Sequence, residues 1–308
     1  MLPTDLLALV SHRGRSYHNE AWTRERISTQ ETPANPLGTA LDQLLGFARG
    51  RSVWVSVHRQ RLQGLVGARQ RGGRQAWEID YLVDGTRGYD AVPGLLDSAI
   101  ADAGRAGAEK LFLRLESSCP LLPVVLETGF LPYQESTLYR RPGNLTPSEI
   151  GGLRNLAAMD SYFIFRLYSA CTPEPVRRME AATFAEWQAA QDRRWLKHGV
   201  QLVIEHEGSV AGCVSAAPNA SGISIDLLVD QSAGDQVLPL VGAACSALDA
   251  PFASVEVLVP STADGTARCL QEAGFEAQRE FVSLMRRTTR PIAVPNLRPA
   301  IAKNAVGV

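Results

Sequence analysis

The sequence predicts an α+β fold built as two tandem copies of one strand-and-helix unit, and three observations predict it. The first is an internal repeat: Ile79-Asp80-Tyr81-Leu82-Val83-Asp84 returns as Ile225-Asp226-Leu227-Leu228-Val229-Asp230, followed in both copies by a glycine (Gly88, Gly234) and a proline (Pro93, Pro239) at one offset. Glu127-Thr128-Gly129-Phe130 then answers to Glu272-Ala273-Gly274-Phe275, and Leu138-Tyr139-Arg140-Arg141 to Leu284-Met285-Arg286-Arg287. Chance similarity does not keep such blocks in order. The second observation is a shared succession of periodicities. The third is composition: 308 residues, 45% hydrophobic and 20% charged, suffice for two cores and lie far from the disordered corner.

The elements follow in order. Val53 to Val57 and Leu62 to Ala68 alternate like a hairpin, as do Leu202 to Glu205 and Val210 to Ala216, with Glu207-Gly208-Ser209 as the turn. Third strands follow at Trp77–Val83 and Ile223–Val229. Pro93 to Ala106 and Pro239 to Leu248 carry apolar residues at helical spacing, each proline in a first turn where its missing N–H does no harm. Fourth strands (Lys110–Leu115, Ser254–Val259), helices closed by Gly129 and Gly274, and last strands (Ser136–Arg140, Phe281–Arg286) complete each copy. Pro- and Gly-rich punctuation places an N-terminal unit at 1–143, a linker at 144–159, a C-terminal unit at 160–290 and a tail at 291–308. The first thirty residues are polar and Arg-rich, with no readable period. Tyr162 to Tyr168 reads as a strand with an apolar face, and Trp187 and Trp195, eight apart, as anchors on one face of a helix.

The 31 Lys plus Arg nearly cancel the 32 Asp plus Glu, which excludes a strongly basic nucleic-acid module. No run reaches the roughly 18–20 apolar residues of a membrane span, and the N-terminus lacks a signal-peptide pattern, so a soluble, cytoplasmic protein is expected. Five scattered cysteines among apolar neighbours read as reduced, inert thiols, and neither they nor the histidines show metal-ligand spacing.

Glu207-Gly208-Ser209-Val210-Ala211-Gly212 and Leu270-Gln271-Glu272-Ala273-Gly274-Phe275, set in this order of elements, resemble the GNAT acyltransferase fold, here present twice over roughly 35–141 and 160–287. The resemblance implies a mostly antiparallel twisted sheet flanked by helices in each unit. It also implies transfer of an acetyl group from acetyl-CoA to an amine of a small molecule or peptide. In that family, glycines and a helix N-terminus hold the cofactor's pyrophosphate, as the chemistry of free N–H groups favours.

By the same resemblance, Arg87, Gly88 and Gly234 stand at the pyrophosphate, and the main chain near Leu82, Val83, Leu228 and Val229 faces the thioester and pantetheine arm. Asp80 and Asp226, matched between the copies, are the candidate bases. Arg87-Gly88 makes the first copy the better cofactor binder. The sequence departs from the family pattern where Asp90 and Val92, or Gln236 and Leu238, replace later glycines, and where Val125 and Leu270 replace the usual acidic tyrosine. Asp90 and Asp235 read as helix N-caps that fill the anion site themselves, and Tyr133 as a packing residue rather than a substitute acid. These departures leave a second reading open: a catalytically silent tandem fold serving as a binding or assembly module.

Overall fold

The computed structural model describes residues 17–27, 51–59, 61–86, 88–143, 145, 151–206, 209–219, 222–248 and 253–288. Eleven strands form one sheet in the order β1-β2-β3-β4-β11-β5-β10-β9-β8-β7-β6. The first copy contributes β1 (Arg51–His58), β2 (Arg61–Gln70), β3 (Ala76–Asp84), β4 (Lys110–Glu116) and β5 (Leu131–Pro142). The second contributes β6 (Leu153–Asn155), β7 (Val200–His206), β8 (Ser209–Pro218), β9 (Ile223–Val229), β10 (Ser254–Pro260) and β11 (Glu276–Arg287). Only β3/β4 and β9/β10 run parallel; the other neighbours are antiparallel. This is the mixed, mostly antiparallel sheet the resemblance implies.

The order of the central strands was not legible in the sequence. The last strand of each copy leaves its own unit: β11 pairs with β4 of the first copy, β5 pairs with β10 of the second, and the two pair with each other. The cores record the exchange. Val282 and Leu284 of β11 pack with Val66, Ile79 and Leu96 of the first unit, and Tyr139 of β5 packs with Ile225, Leu240 and Val257 of the second.

Helices cover the sheet. In α1 (Val92–Arg105), Leu95, Leu96, Ala99 and Ala103 recur at three- and four-residue steps and are buried, with Pro93 in the first turn. After α2 (Leu122–Glu127) the chain turns through Gly129 at φ 81° and buries Phe130. Gly274 at φ 82° does the same after α7 (Asp264–Glu272), burying Phe275. That left-handed conformation is one a side chain resists, which is why glycine ends both helices. α6 (Val237–Ala247) is the second copy's counterpart of α1.

Three expectations are corrected. Tyr162 to Tyr168 is not a strand but lies in helix α3 (Ser161–Cys171). Ile164, Leu167 and Tyr168 share its buried face, and packing on Val203 and Cys213 overrides the β-propensity of its aromatic run. Trp187 lies in α5 (Phe184–Ala190), which follows α4 (Glu174–Glu180), whereas Trp195 lies in a separate turn at Arg194–Leu196. Finally, Asp90 and Asp235 cap nothing: the N-cap residues are Ala91 and Gln236, and neither helix has a side-chain cap. The short strand β6 falls in the stretch expected as linker, and the 291–308 tail lies outside the described residues.

Candidate active site

The parallel strand pairs part at different depths. β9 and β10 are registered from Ile223/Val255 to Asp226/Leu258, whereas β3 and β4 are registered only from Ala76/Lys110 to Glu78/Phe112. By the repeat, the first gap opens two residues earlier, and the chain fills it.

Residues 19–22 lie in that opening as an extended plug. Glu20 N donates to Leu82 O at 2.8 Å, Asn19 Oδ1 accepts from Leu82 N at 2.9 Å, and Trp22 N donates to Arg114 O at 2.9 Å, so both facing strands are bonded. Asn19 Nδ2 also donates to Asp80 O at 2.9 Å. Leu82 and Val83 are buried beneath it. This corrects the expectation that the first copy is the better cofactor binder: the main-chain groups of Leu82 expected to face a ligand are already taken. Gly88 is exposed, its N–H turned back on Thr86 Oγ1 at 3.3 Å, and Arg87 lies outside the described residues.

Asp80 is likewise shut in. Its carboxylate, 3% exposed, lies 2.5 Å from Arg51 Nη2 and 3.6 Å from Arg69 Nε, and burial pushes it above the usual aspartate range against the pull of both guanidiniums. Arg69 also reaches Glu78, Glu25 and Asp192. Asp80 therefore belongs to a buried ion network, not to a surface a substrate could reach.

The second copy differs at each equivalent point. Asp226 is 39% exposed at its side chain. Arg24, carried in by the segment that continues the plug, donates from Nε to Asp226 Oδ1 at 2.8 Å, from Nη1 to Ser224 Oγ at 2.5 Å and from Nη2 to Ile225 O at 3.1 Å. The guanidinium also stacks 4.3 Å above the Trp195 ring. Leu228 and Val229 are half-buried rather than sealed.

Two cavities meet where β9 and β10 part. A larger one of about 280 Å³ lies between the sheet and helices α3 to α5, walled by Asp226, Arg114, Tyr168 and Trp187 among others. A narrower one of about 50 Å³ continues between the strands, lined by Gln134, Thr172, Val229, Ala263 and Thr266. Leu227, Leu228 and Leu258 line both, at the parting of the strands.

Beyond the narrow cavity the turn 231–236 leads into α6. That turn is a 3-10 helix that runs straight into α6; no side chain caps α6, and a Cβ on Gly234 would meet nothing within 4 Å. An extended, amide-bearing arm fits such a gap, because the equivalent gap holds an extended peptide bonded to both strands. The residues present therefore suit acyl-CoA in the second unit and do not suit it in the first.

The remaining candidates are structural. Val125 and Leu270 are fully buried. Tyr133 packs edge-on against Phe112, and burial raises its hydroxyl pKa, so its ring serves the core. Burial pushes the thiols of Cys119 and Cys213 up to about 12 and that of Cys171 to about 11, which suits inert cysteines. Sequence reasoning missed Arg24, Gln134 and Arg114. Only Arg114 left a signal, as an arginine inside the apolar strand Lys110-Leu111-Phe112-Leu113-Arg114-Leu115.

No family model matches the chain, and no curated protein matches it. Solved structures do. A Drosophila protein superposes with TM-score 0.50 at 10% identity, over 77% of this chain and 79% of that one. A tandem GNAT protein from the clavulanic acid biosynthesis pathway gives 0.48 at 14%, over 92% and 93%. A GCN5-related N-acetyltransferase from Sphaerobacter thermophilus gives 0.45 at 14%, over 73% and 77%. At such identities the likeness is one of fold. The mixed sheet, antiparallel but for one parallel pair in each copy, is the architecture the sequence resemblance implies. No helix among the described residues is long and apolar enough to cross a membrane.

Proposed function

We propose that the protein transfers an acetyl group from acetyl-CoA to an amine, with the C-terminal copy as the working unit and the N-terminal copy as its scaffold. The observation that carries this reading is the open junction of the two cavities at Leu228 and Leu258, against the filled gap at Leu82. When bound, acetyl-CoA would supply the thioester and with it the acetyl group for the amine nitrogen.

The chain's own residues do the rest. Leu228 and Val229 present the edge of β9 to the acyl arm, and the turn at Gly234 leading into α6 offers N–H groups to the pyrophosphate. Asp226 lines the larger cavity and would take the proton that the amine gives up, with Arg24 holding its carboxylate in place. With apolar residues at Leu270 and Val125, the leaving thiolate takes its proton from water.

Calorimetric titration with acetyl-CoA tests the reading. Wild type is expected to bind in the micromolar range, Thr266→Trp, which fills the narrow cavity, to bind at least roughly tenfold more weakly, about 1.4 kcal/mol, and Gly88→Trp in the first unit to bind as wild type does. Absence of heat up to millimolar acetyl-CoA, or weakening by Gly88→Trp alone, would overturn it and leave a duplicated binding module.

A further inference from the structure

The larger cavity carries one cation and one anion that make no ion pair among the described residues. Its other charged walls are matched: Arg24 with Asp226, Arg71 with Glu78 at 3.0 Å, and Asp192 with Arg69 at 3.3 Å; Arg193 is exposed at the rim. Arg114 differs. It rises from β4 on the sheet side, its Nε donates a long 3.4 Å hydrogen bond to Ser283 Oγ, and no carboxylate lies within ion-pair distance of it among the described residues. Burial outweighs the pull of Tyr133 and Glu78 and, with Arg71 and Arg24 nearby, weakens its hold on its proton, as for a desolvated cation only partly compensated. On the helical side stands Glu180 at the end of α4, whose carboxylate accepts the Tyr168 hydroxyl at 3.0 Å and has no cation within ion-pair distance among the described residues; the Lys110 ammonium donates to its main-chain oxygen instead, at 3.0 Å.

A cavity lined on one side by a guanidinium and on the other by a carboxylate, neither in an ion pair, complements a zwitterion. Arginine suits a carboxylate in particular, since its planar fork offers two parallel N–H donors. We infer that the molecule held in this cavity is an amino acid or a close amino-carboxylate, its carboxylate received by Arg114 and its ammonium by Glu180. Calling that molecule the acetyl acceptor rests on the proposed transfer, in which its ammonium gives up a proton and turns from Glu180 to Asp226 across the same cavity; its binding does not. The volume of about 280 Å³ admits a small ligand, and Trp187, Trp195 and Tyr168 offer apolar walls to its side chain.

The test is calorimetry without acetyl-CoA. The twenty common amino acids are titrated singly, and those that bind are compared with their C-terminal amides and N-acetyl derivatives. At least one amino acid is expected to bind in the micromolar range, with its amide and N-acetyl forms roughly 30-fold weaker. Arg114→Gln is expected to bind acid and amide alike, and Arg114→Lys to restore part of the preference. The inference falls if no amino acid binds wild type, if an amide binds as well as its acid, or if a folded Arg114→Gln protein keeps the preference. Should that variant not fold, the wild-type acid-against-amide comparison decides alone. Amino acid binding without acetyl-CoA binding would uphold the inference while removing the transferase reading, and the reverse pattern would do the opposite.

Discussion

The Asn19 side-chain oxygen accepts the main-chain N–H of Leu82 at 2.9 Å, so a residue sixty-three positions away in sequence closes the parting edge of β3. The same oxygen accepts Ala21 N at 3.0 Å while the amide nitrogen serves Asp80 O, and all of this is buried. Asn19→Ala is expected to destabilise the protein by about 3 kcal/mol, because each buried polar group left unpaired carries roughly 1–3 kcal/mol. Urea unfolding measures it, and faster hydrogen exchange at the Leu82 amide locates it. A loss below about 0.5 kcal/mol, the range of ordinary surface changes, would mean the plug does not bind the gap.

Arg24 and Asp226 join the plug segment to the second copy's cavity. A double-mutant cycle with Arg24→Met and Asp226→Asn should give a coupling of about 1 kcal/mol, at the upper end for a pair whose carboxylate is partly in water. Additive effects would show the ion pair to be idle.

The exchanged strands tie the halves together. Produced as two chains divided between residues 143 and 151, the halves should copurify in a 1:1 complex, since separation would bare the edges of β4 and β10 at once. Two independent monomers on gel filtration would contradict the exchange.

Asp160 gives a pH signature. Its carboxylate, 3% exposed, accepts Arg154 Nη1 at 2.6 Å, Arg154 Nη2 at 2.8 Å and Ala157 N at 2.7 Å, and these bonds hold its pKa below the ordinary 3.8. The unfolded chain therefore takes up the proton first, and stability present above pH 3.8 is lost as pH falls through and below it. Asp160→Asn should be less stable than wild type at pH 7, with the difference shrinking as the solution is acidified toward pH 3. A difference independent of pH would assign the effect to packing.

The strands and helices of both copies were legible because period and repeat spoke for the same elements. Leu138-Tyr139-Arg140-Arg141 and Leu284-Met285-Arg286-Arg287 nevertheless fit either neighbour equally well, so nothing local distinguishes a strand kept from a strand exchanged. The plug stayed hidden for a related reason: Asn19 and Glu20 work through main-chain bonds to strands far away in sequence, and such contacts leave no period. Asp226 was legible as a repeated carboxylate in an apolar strand, but its partner Arg24 was one arginine among several in a polar segment. Asp80 carried the same signal as Asp226, and only tertiary closure separates them. The aromatic run Tyr162 to Tyr168 misled because its residue types favour strands while its burial follows a helix.

The place of β11 also sets a timetable for synthesis. β4 is complete at Glu116, yet the strand that covers its free edge begins at Glu276, about 160 residues later. At typical elongation of roughly 5–20 residues per second, the first half waits about 8–30 s on the ribosome with one flank of its sheet bare. A chain that stalls or breaks in that interval carries an N-terminal core without Val282 and Leu284 and a β4 edge left unpaired.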